Sequence, residues 1–179
     1  MKAVFFDRDG VINRDFGYVY RQEDFIFCDG IFELLEFCKA KGYLLLLVTN
    51  QSGIGMGYYT LDDFKILSKY MQNELKKRLG FGFDDIYFCP HRSDEDCLCR
   101  KPKPGMLQKA ISDFKINLAQ SILIGDKVSD VEAAQNAGIK YKILIKNQLE
   151  NNPEVPMQDL YQVNSVKEIL NLLQKEIIK

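Results

Sequence analysis

The stretch KAVFFDRDG, residues 2–10, runs from an unbroken apolar segment straight into two aspartates. An apolar run without polar alternation marks a strand buried on both faces. The span 2–7 therefore reads as a short strand that ends in a carboxylate. YLLLLVTNQSG (43–53) repeats the pattern and ends in a polar turn. DIYFCP (85–90), SILIGD (121–126) and KYKILI (140–145) are three more strands of this kind. Between them lie segments of helical spacing. GIFELLEFCKAKG (30–42) carries Ile31, Leu34, Leu35 and Cys38 on one face, and Gly42 stops it. TLDDFKILSKYMQNELKKRLG (60–80) has Thr60 as N-cap, Asp63 three residues on and Gly80 as its close. GMLQKAISDFK (105–115) is a helix, SDVEAAQNAG (129–138) another with Ser129 as cap, and NSVKEILNLLQKEIIK (164–179) the last. NQLENNPEVPMQD (147–159) reads as a surface loop. Strand and helix in alternation predict an α/β fold: a three-layer Rossmannoid parallel sheet with helices on both faces. Ligands of such sheets bind at the carboxyl ends of the strands.

The totals narrow the function. The chain has 179 residues, which suits one domain over 1–179 with a small insertion. A chain of this length buries roughly 70% of its extended surface and needs no disulfides to hold a core. Its 24 basic and 25 acidic residues leave a net charge of −1, without the basic excess of a nucleic-acid binder. Lys76-Lys77-Arg78 reads as a solvated helix face. The start holds one lysine and an apolar run too short for a secretory signal, and nothing approaches a membrane span. The expectation is a cytoplasmic monomer, where thiols stay reduced and clustered cysteines favour a metal.

The residues at the strand ends carry the chemistry. The first strand ends in Asp7-Arg8-Asp9-Gly10, the second in Thr49-Asn50. Arg100-Lys101-Pro102 follows, then Gly125-Asp126 with Asp130 four residues on. If the strands are parallel neighbours, three carboxylates, a hydroxyl and a lysine meet at one rim. Crowded carboxylates need a cation, and hard oxygen ligands suit Mg²⁺. Lysine and a threonine hydroxyl add positive charge and a donor for phosphate, which fits phosphoryl transfer. Arg8, between two aspartates, reads as a solvated neighbour.

A second constellation lies in FCPHRSDEDCLCRKPKPG, residues 88–105, with the only histidine and three of the five cysteines. Cys89 and His91 are two apart, as are Cys97 and Cys99. In extended chain such pairs face one side. Four such ligands suit a closed, tetrahedral, structural zinc site. Cys28 and Cys38 read as packing residues.

The motifs D-x-D-G, V-T-N, K-P-x-P and G-D-x-x-x-D, in that order from residue 3 to about 145, resemble those of haloacid-dehalogenase-type phosphatases. The resemblance implies Asp7 as nucleophile and Asp9 as acid and base. It implies Mg²⁺ on Asp7, on the backbone carbonyl of Asp9 and on Asp126. Thr49 and Lys101 would bind the transferring group, and Asp130 would support the metal or Lys101. C-x-H and C-x-C-R-K-P, with DRDGVIN, GYV and TNQSGIG, are similar to the heptose bisphosphate phosphatases of lipopolysaccharide and nucleotide-heptose synthesis, and to the related histidinol-phosphate phosphatases. Both have minimal caps, and here only about 30 residues separate the first two strands. The zinc loop 89–99 would then be an insertion beside the pocket. The resemblance implies a small phosphorylated sugar as partner. Its binding residues would be Asp15, Phe16, Gly17, Tyr18, Thr49, Asn50, Gln51, Ser52, Arg100, Lys101 and Lys127, with Arg100 as a fork for a second phosphate or hydroxyls. The chain departs from the pattern at Phe16, where histidine is frequent, and at Met56, where arginine is frequent. Both bear on anomer preference and on the hold on a second phosphate. Three other readings compete: a histidinol-phosphate phosphatase, a zinc-containing binding module without activity, and a nucleic-acid 3′-phosphatase, which the charge balance disfavours.

Overall fold

The structure, a computed structural model, describes residues 1–146 and 157–178. Six strands form one sheet: β1 (Ala3–Phe6), β2 (Leu44–Asn50), β3 (Asp85–Cys89), β4 (Ile122–Gly125), β5 (Tyr141–Ile145) and β6 (Leu160–Val163). They pair in the order β3-β2-β1-β4-β5-β6, every neighbour parallel. The helices are α1 (Ile31–Ala40), α2 (Ser52–Gly55), α3 (Leu61–Leu79), α4 (Gly105–Phe114), α5 (Val128–Ala137) and α6 (Val166–Leu172).

Alternate residues of each strand supply the two faces, which is why the strands are apolar throughout. Val4, Phe6, Leu45, Leu47, Ile122 and Ile124 face one core, with Leu34 of α1, Leu67 and Met71 of α3, and Ile169 of α6. Ala3, Phe5, Leu46, Val48 and Leu123 face the other, with Leu107 of α4 and Ala134 of α5. This is the expected three-layer sandwich.

The order reverses between β1 and β4. From β1 the chain winds outward through β2 and β3; from β4 it winds the other way through β5 and β6. Loops that leave β1 and β4 diverge there and open a crevice. Val4, Phe5 and Phe6 stand in register with Ile122, Leu123 and Ile124, so Asp7 and Asp126 both fall near that crevice.

The α3 capping box forms as expected. Thr60 Oγ1 accepts from the Asp63 N–H at 3.1 Å, and Asp63 Oδ2 accepts from the Thr60 N–H at 2.8 Å. Lys76, Lys77 and Arg78 are exposed, as expected. Cys38 is buried, and burial pushes its thiol up to about 12; Cys28 packs partly buried against the same core.

Three expectations are corrected. Ser129 does not cap α5 but lies inside it; Lys127 is the cap residue, and its N–H donates to Asp130 Oδ2 at 3.0 Å. The turn after β4 is so tight that the helix starts two residues early. The sequence reading lacks β6, because only Val163 of its four residues is buried and no continuous apolar run marks it. The last helix starts at Val166, and π-type turns replace α geometry over Leu173–Ile177. Of the expected loop 147–159, residues 147–156 lie outside the described residues. Among the described residues, no helix is long and apolar enough to cross a membrane.

Candidate active site

Lys101 stands at the centre of the crevice. Its ammonium donates to Asp7 Oδ1 at 2.8 Å and to the Val48 carbonyl at 2.8 Å, and it pairs with Asp130 Oδ1 at 2.7 Å. Asn50 holds the Lys101 backbone from both sides: its Oδ1 accepts from the Lys101 N–H and its Nδ2 donates to the Lys101 carbonyl. Burial alone would lower the lysine's pKa, but Asp130 and Asp7 together raise it, so the side chain stays charged. Burial pushes the Asp7 carboxyl up; Lys101 opposes this and Asp130 adds to it.

Asp7, Asp126 and Asp130 each offer an oxygen within 4.8 Å of the others. Burial, then the charges of Asp7 and Asp130, push Asp126 up to about 8. Its Oδ1 is buried with no hydrogen-bond partner among the described residues. An orphaned carboxylate oxygen beside two other carboxylates and one paired lysine fits a divalent cation with oxygen ligands. Gly10 makes the approach possible. Its φ is +85°, and a Cβ there would lie 2.2 Å from Asp126 Oδ2.

Asp9 is in the same turn but has partners of its own. Arg8, Asn13 and Gln51 all donate to its carboxylate. Arg8 is not a solvated neighbour: it is 2% exposed, and its guanidinium donates to Asp9 and to the Val19 carbonyl. Flanking apolar residues on both sides, VFF and VI, were the available signal. Thr49 Oγ1 accepts from Gln51 Nε2 at 2.7 Å, which leaves its own O–H free to donate.

Above this floor opens a cleft of about 770 Å³. Among its lining residues are Asp9, Asp15, Gly17, Tyr18, Asn50, Gln51, Ser52, Arg100, Lys101 and Lys127 from the expected set. Asp7 and Thr49 are buried below that lining. Phe16 stays out of it, at 62% exposure. Met56 accepts from the Tyr18 hydroxyl at 3.6 Å, and Lys127 pairs with Asp15 at 3.3 Å. Tyr59 and the acidic run Asp94-Glu95-Asp96 also line the cleft and were not foreseen. Tyr59 had no signal beyond its place before a helix cap, because its partner Gln51 is on a different turn.

The cysteine cluster assembles as its spacing predicts. Sulfur and nitrogen atoms of Cys89, His91, Cys97 and Cys99 lie within 4.8 Å of one another. His91 Nδ1 is 3.2 Å from Cys99 Sγ and 3.4 Å from Cys89 Sγ. Cys89 ends β3, next to Asn50 of β2, so the cluster is anchored one strand from the acidic site. Arg100 donates to the His91 carbonyl at 3.4 Å.

The order reversal and the aspartate–lysine cluster define a hydrolase of the haloacid-dehalogenase-like (HAD) class, and a HAD-hydrolase-like family profile matches residues 98–168. A D-glycero-beta-D-manno-heptose-1,7-bisphosphate 7-phosphatase of Helicobacter pylori is 51% identical over 172 residues, covering 96% of this chain and 97% of that protein. The alpha-anomer counterpart of Campylobacter jejuni is 49% identical over 178 residues, covering 99% of this chain and 98% of that one. A crystal structure of D,D-heptose 1,7-bisphosphate phosphatase from B. bronchiseptica, complexed with magnesium and phosphate, superposes with a TM-score of 0.88 at 27% identity, covering 98% of this chain and 99% of that one. The chain belongs to the D-glycero-D-manno-heptose-1,7-bisphosphate 7-phosphatase family of HAD-like enzymes.

Proposed function

We propose that this protein is a magnesium-dependent phosphatase that removes the 7-phosphate of D-glycero-D-manno-heptose 1,7-bisphosphate, in the supply of nucleotide-heptose precursors. The observation that carries the chemistry is the Lys101–Asp7 pair at 2.8 Å beside the orphaned Asp126 oxygen. The substrate class comes from relatives about half identical over almost the whole chain.

An Asp7 oxygen attacks phosphorus, and the bond from phosphorus to the sugar's C7 oxygen breaks. Asp9 gives that oxygen its proton, leaving an aspartyl-phosphate. Asp9 then takes a proton from the water that attacks the phosphorus, and Asp7 is restored as inorganic phosphate leaves. Lys101, close to Asp7, and the free Thr49 O–H are placed to bind the transferring oxygens. Asp130 holds Lys101. A magnesium ion held by Asp7, Asp126 and the Asp9 backbone carbonyl would supply charge neutralisation to those oxygens. In the cleft, Asp15, Gly17, Tyr18, Asn50, Gln51, Ser52, Arg100 and Lys127 contact the substrate; Phe16 would reach it only after rotating inward.

Cys89, His91, Cys97 and Cys99 would hold a structural zinc ion, since a set of four such ligands suits a closed site. Bound there, it would stiffen the chain into Arg100 and so prepare that guanidinium for the second phosphate.

The test is phosphate release with Mg²⁺ from the alpha and beta heptose bisphosphates and from histidinol phosphate. Both heptose anomers should be hydrolysed far faster than histidinol phosphate, and Asp7→Asn should lower kcat by about ten-thousandfold. Preference for histidinol phosphate would overturn the substrate, and an active Asp7→Asn enzyme the covalent route.

A further inference from the structure

We propose that Arg8 is a positioning residue that aims the Asp9 carboxyl by tying it to the loop that lines the cleft. The proposal rests on the reading of Asp9 as acid and base. Arg8 Nε and Nη2 both reach the Asp9 carboxylate, at 3.0–3.2 Å. Nη2 also donates to the Val19 carbonyl at 2.6 Å. Val19 directly follows Tyr18, which lines the cleft. The planar fork thus sets the distance and angle between the carboxyl and the substrate loop. The Phe64 ring lies 6.0 Å from the guanidinium carbon and backs it.

The rest of the carboxylate's surroundings acts in the same sense. Asn13 Nδ2 donates to Oδ1 at 3.0 Å, and Gln51 Nε2 donates to Oδ2 at 3.1 Å. The Tyr59 hydroxyl fixes Gln51 in turn, donating to its Oε1 at 2.6 Å. Donors therefore hold both oxygens from three directions.

Stability does not account for Arg8. Guanidinium stays charged in proteins, and a buried ion pair is often no more stabilising than apolar side chains of the same volume. Arg8 Nη1 is moreover buried with no partner among the described residues. An unpaired buried donor is a cost that an apolar side chain would remove. Aim accounts for a charged, forked side chain at this position. A group that must deliver a proton to one oxygen and collect it from another loses rate when displaced by about an ångström.

The experiment compares kcat/KM for heptose 1,7-bisphosphate and for p-nitrophenyl phosphate, whose leaving group departs without a proton. This ratio reports the steps up to phosphoryl transfer, where leaving-group protonation counts. Arg8→Lys keeps the charge and loses the fork. It should lower kcat/KM about a hundredfold for the sugar phosphate but less than about threefold for the aryl ester. Tyr59→Phe, a milder change at the far end of the network, should give a smaller split in the same direction and serves if Arg8→Lys does not fold. Asp9→Asn is the control and should give the largest split. Equal losses on both substrates in Arg8→Lys and Tyr59→Phe, beside a split in Asp9→Asn, would overturn the proposal alone. No split in Asp9→Asn would overturn the acid assignment, and the proposal with it.

Discussion

Asp126 couples the acidic site to pH. Burial, Asp7 and Asp130 raise its pKa to about 8 in the metal-free protein. Its folded pKa lies above its unfolded one, so below the unfolded value the proton is held in both states. As pH rises toward about 8, the metal-free fold loses the stability that the bound proton contributes. A divalent cation must displace that proton. Magnesium affinity should therefore climb between about pH 6 and about 8, by at most about tenfold per pH unit for one proton, and level off above. Asp7, also raised by burial, acts in the same sense. Calorimetric titration with Mg²⁺ across this range checks the slope, and Asp126→Asn should weaken binding and flatten it. Asp7, Asp9, Lys101 and Asp126 were legible in the sequence because each stands at a strand end or in a short motif. Arg8 and Tyr59 were not. Their roles depend on partners, Val19 and Gln51, that only folding brings near.

Helix α3 has a local and a tertiary duty. Its capping box satisfies two backbone N–H donors at an exposed end. Thr60→Ala should cost about 1 kcal/mol of stability. Denaturant unfolding checks it: the midpoint should fall while the m-value holds. Tyr59 immediately precedes this cap, so the same variant should also loosen Gln51 slightly, with a small loss of kcat/KM. The boundaries of α3 were readable because capping chemistry is local to four residues. The start of α5 was misread because Asp130 does two things at once. It accepts the Lys127 N–H as a cap partner and pairs with Lys101, and only the second contact crosses the fold. Strand β6 went unseen for a related reason. An edge strand with one buried residue has no pattern of its own; pairing with β5 makes it a strand.

The two candidate metal clusters are separated by strand β2 alone, and one should respond to the other. Cys89 and Asn50 are register partners across β3 and β2, and Asn50 holds Lys101 through its backbone. Loss of the zinc ion, by a strong chelator or by Cys97→Ser, should loosen residues 89–101 and shift Arg100 and Lys101 together. The expected result is a raised KM for the bisphosphate, with a smaller change for p-nitrophenyl phosphate, which has no second phosphate. Metal analysis should find zinc in the native protein and its loss in the variant. Steady-state kinetics on both substrates completes the check, and an unchanged KM would sever the link between cage and cleft. Apolar strand runs alternating with helical periods were enough to specify the parallel three-layer fold, because buried strands and amphipathic helices each have a local pattern. Cys89, His91, Cys97 and Cys99 likewise declared themselves through spacing, because all four lie in one short stretch of chain, 89–99. The order β3-β2-β1-β4-β5-β6 has no such local signature. It places Asp7 beside Asp126. Contacts between residues 94 positions apart, such as Lys101 with Asp7, exist only once the strands have paired.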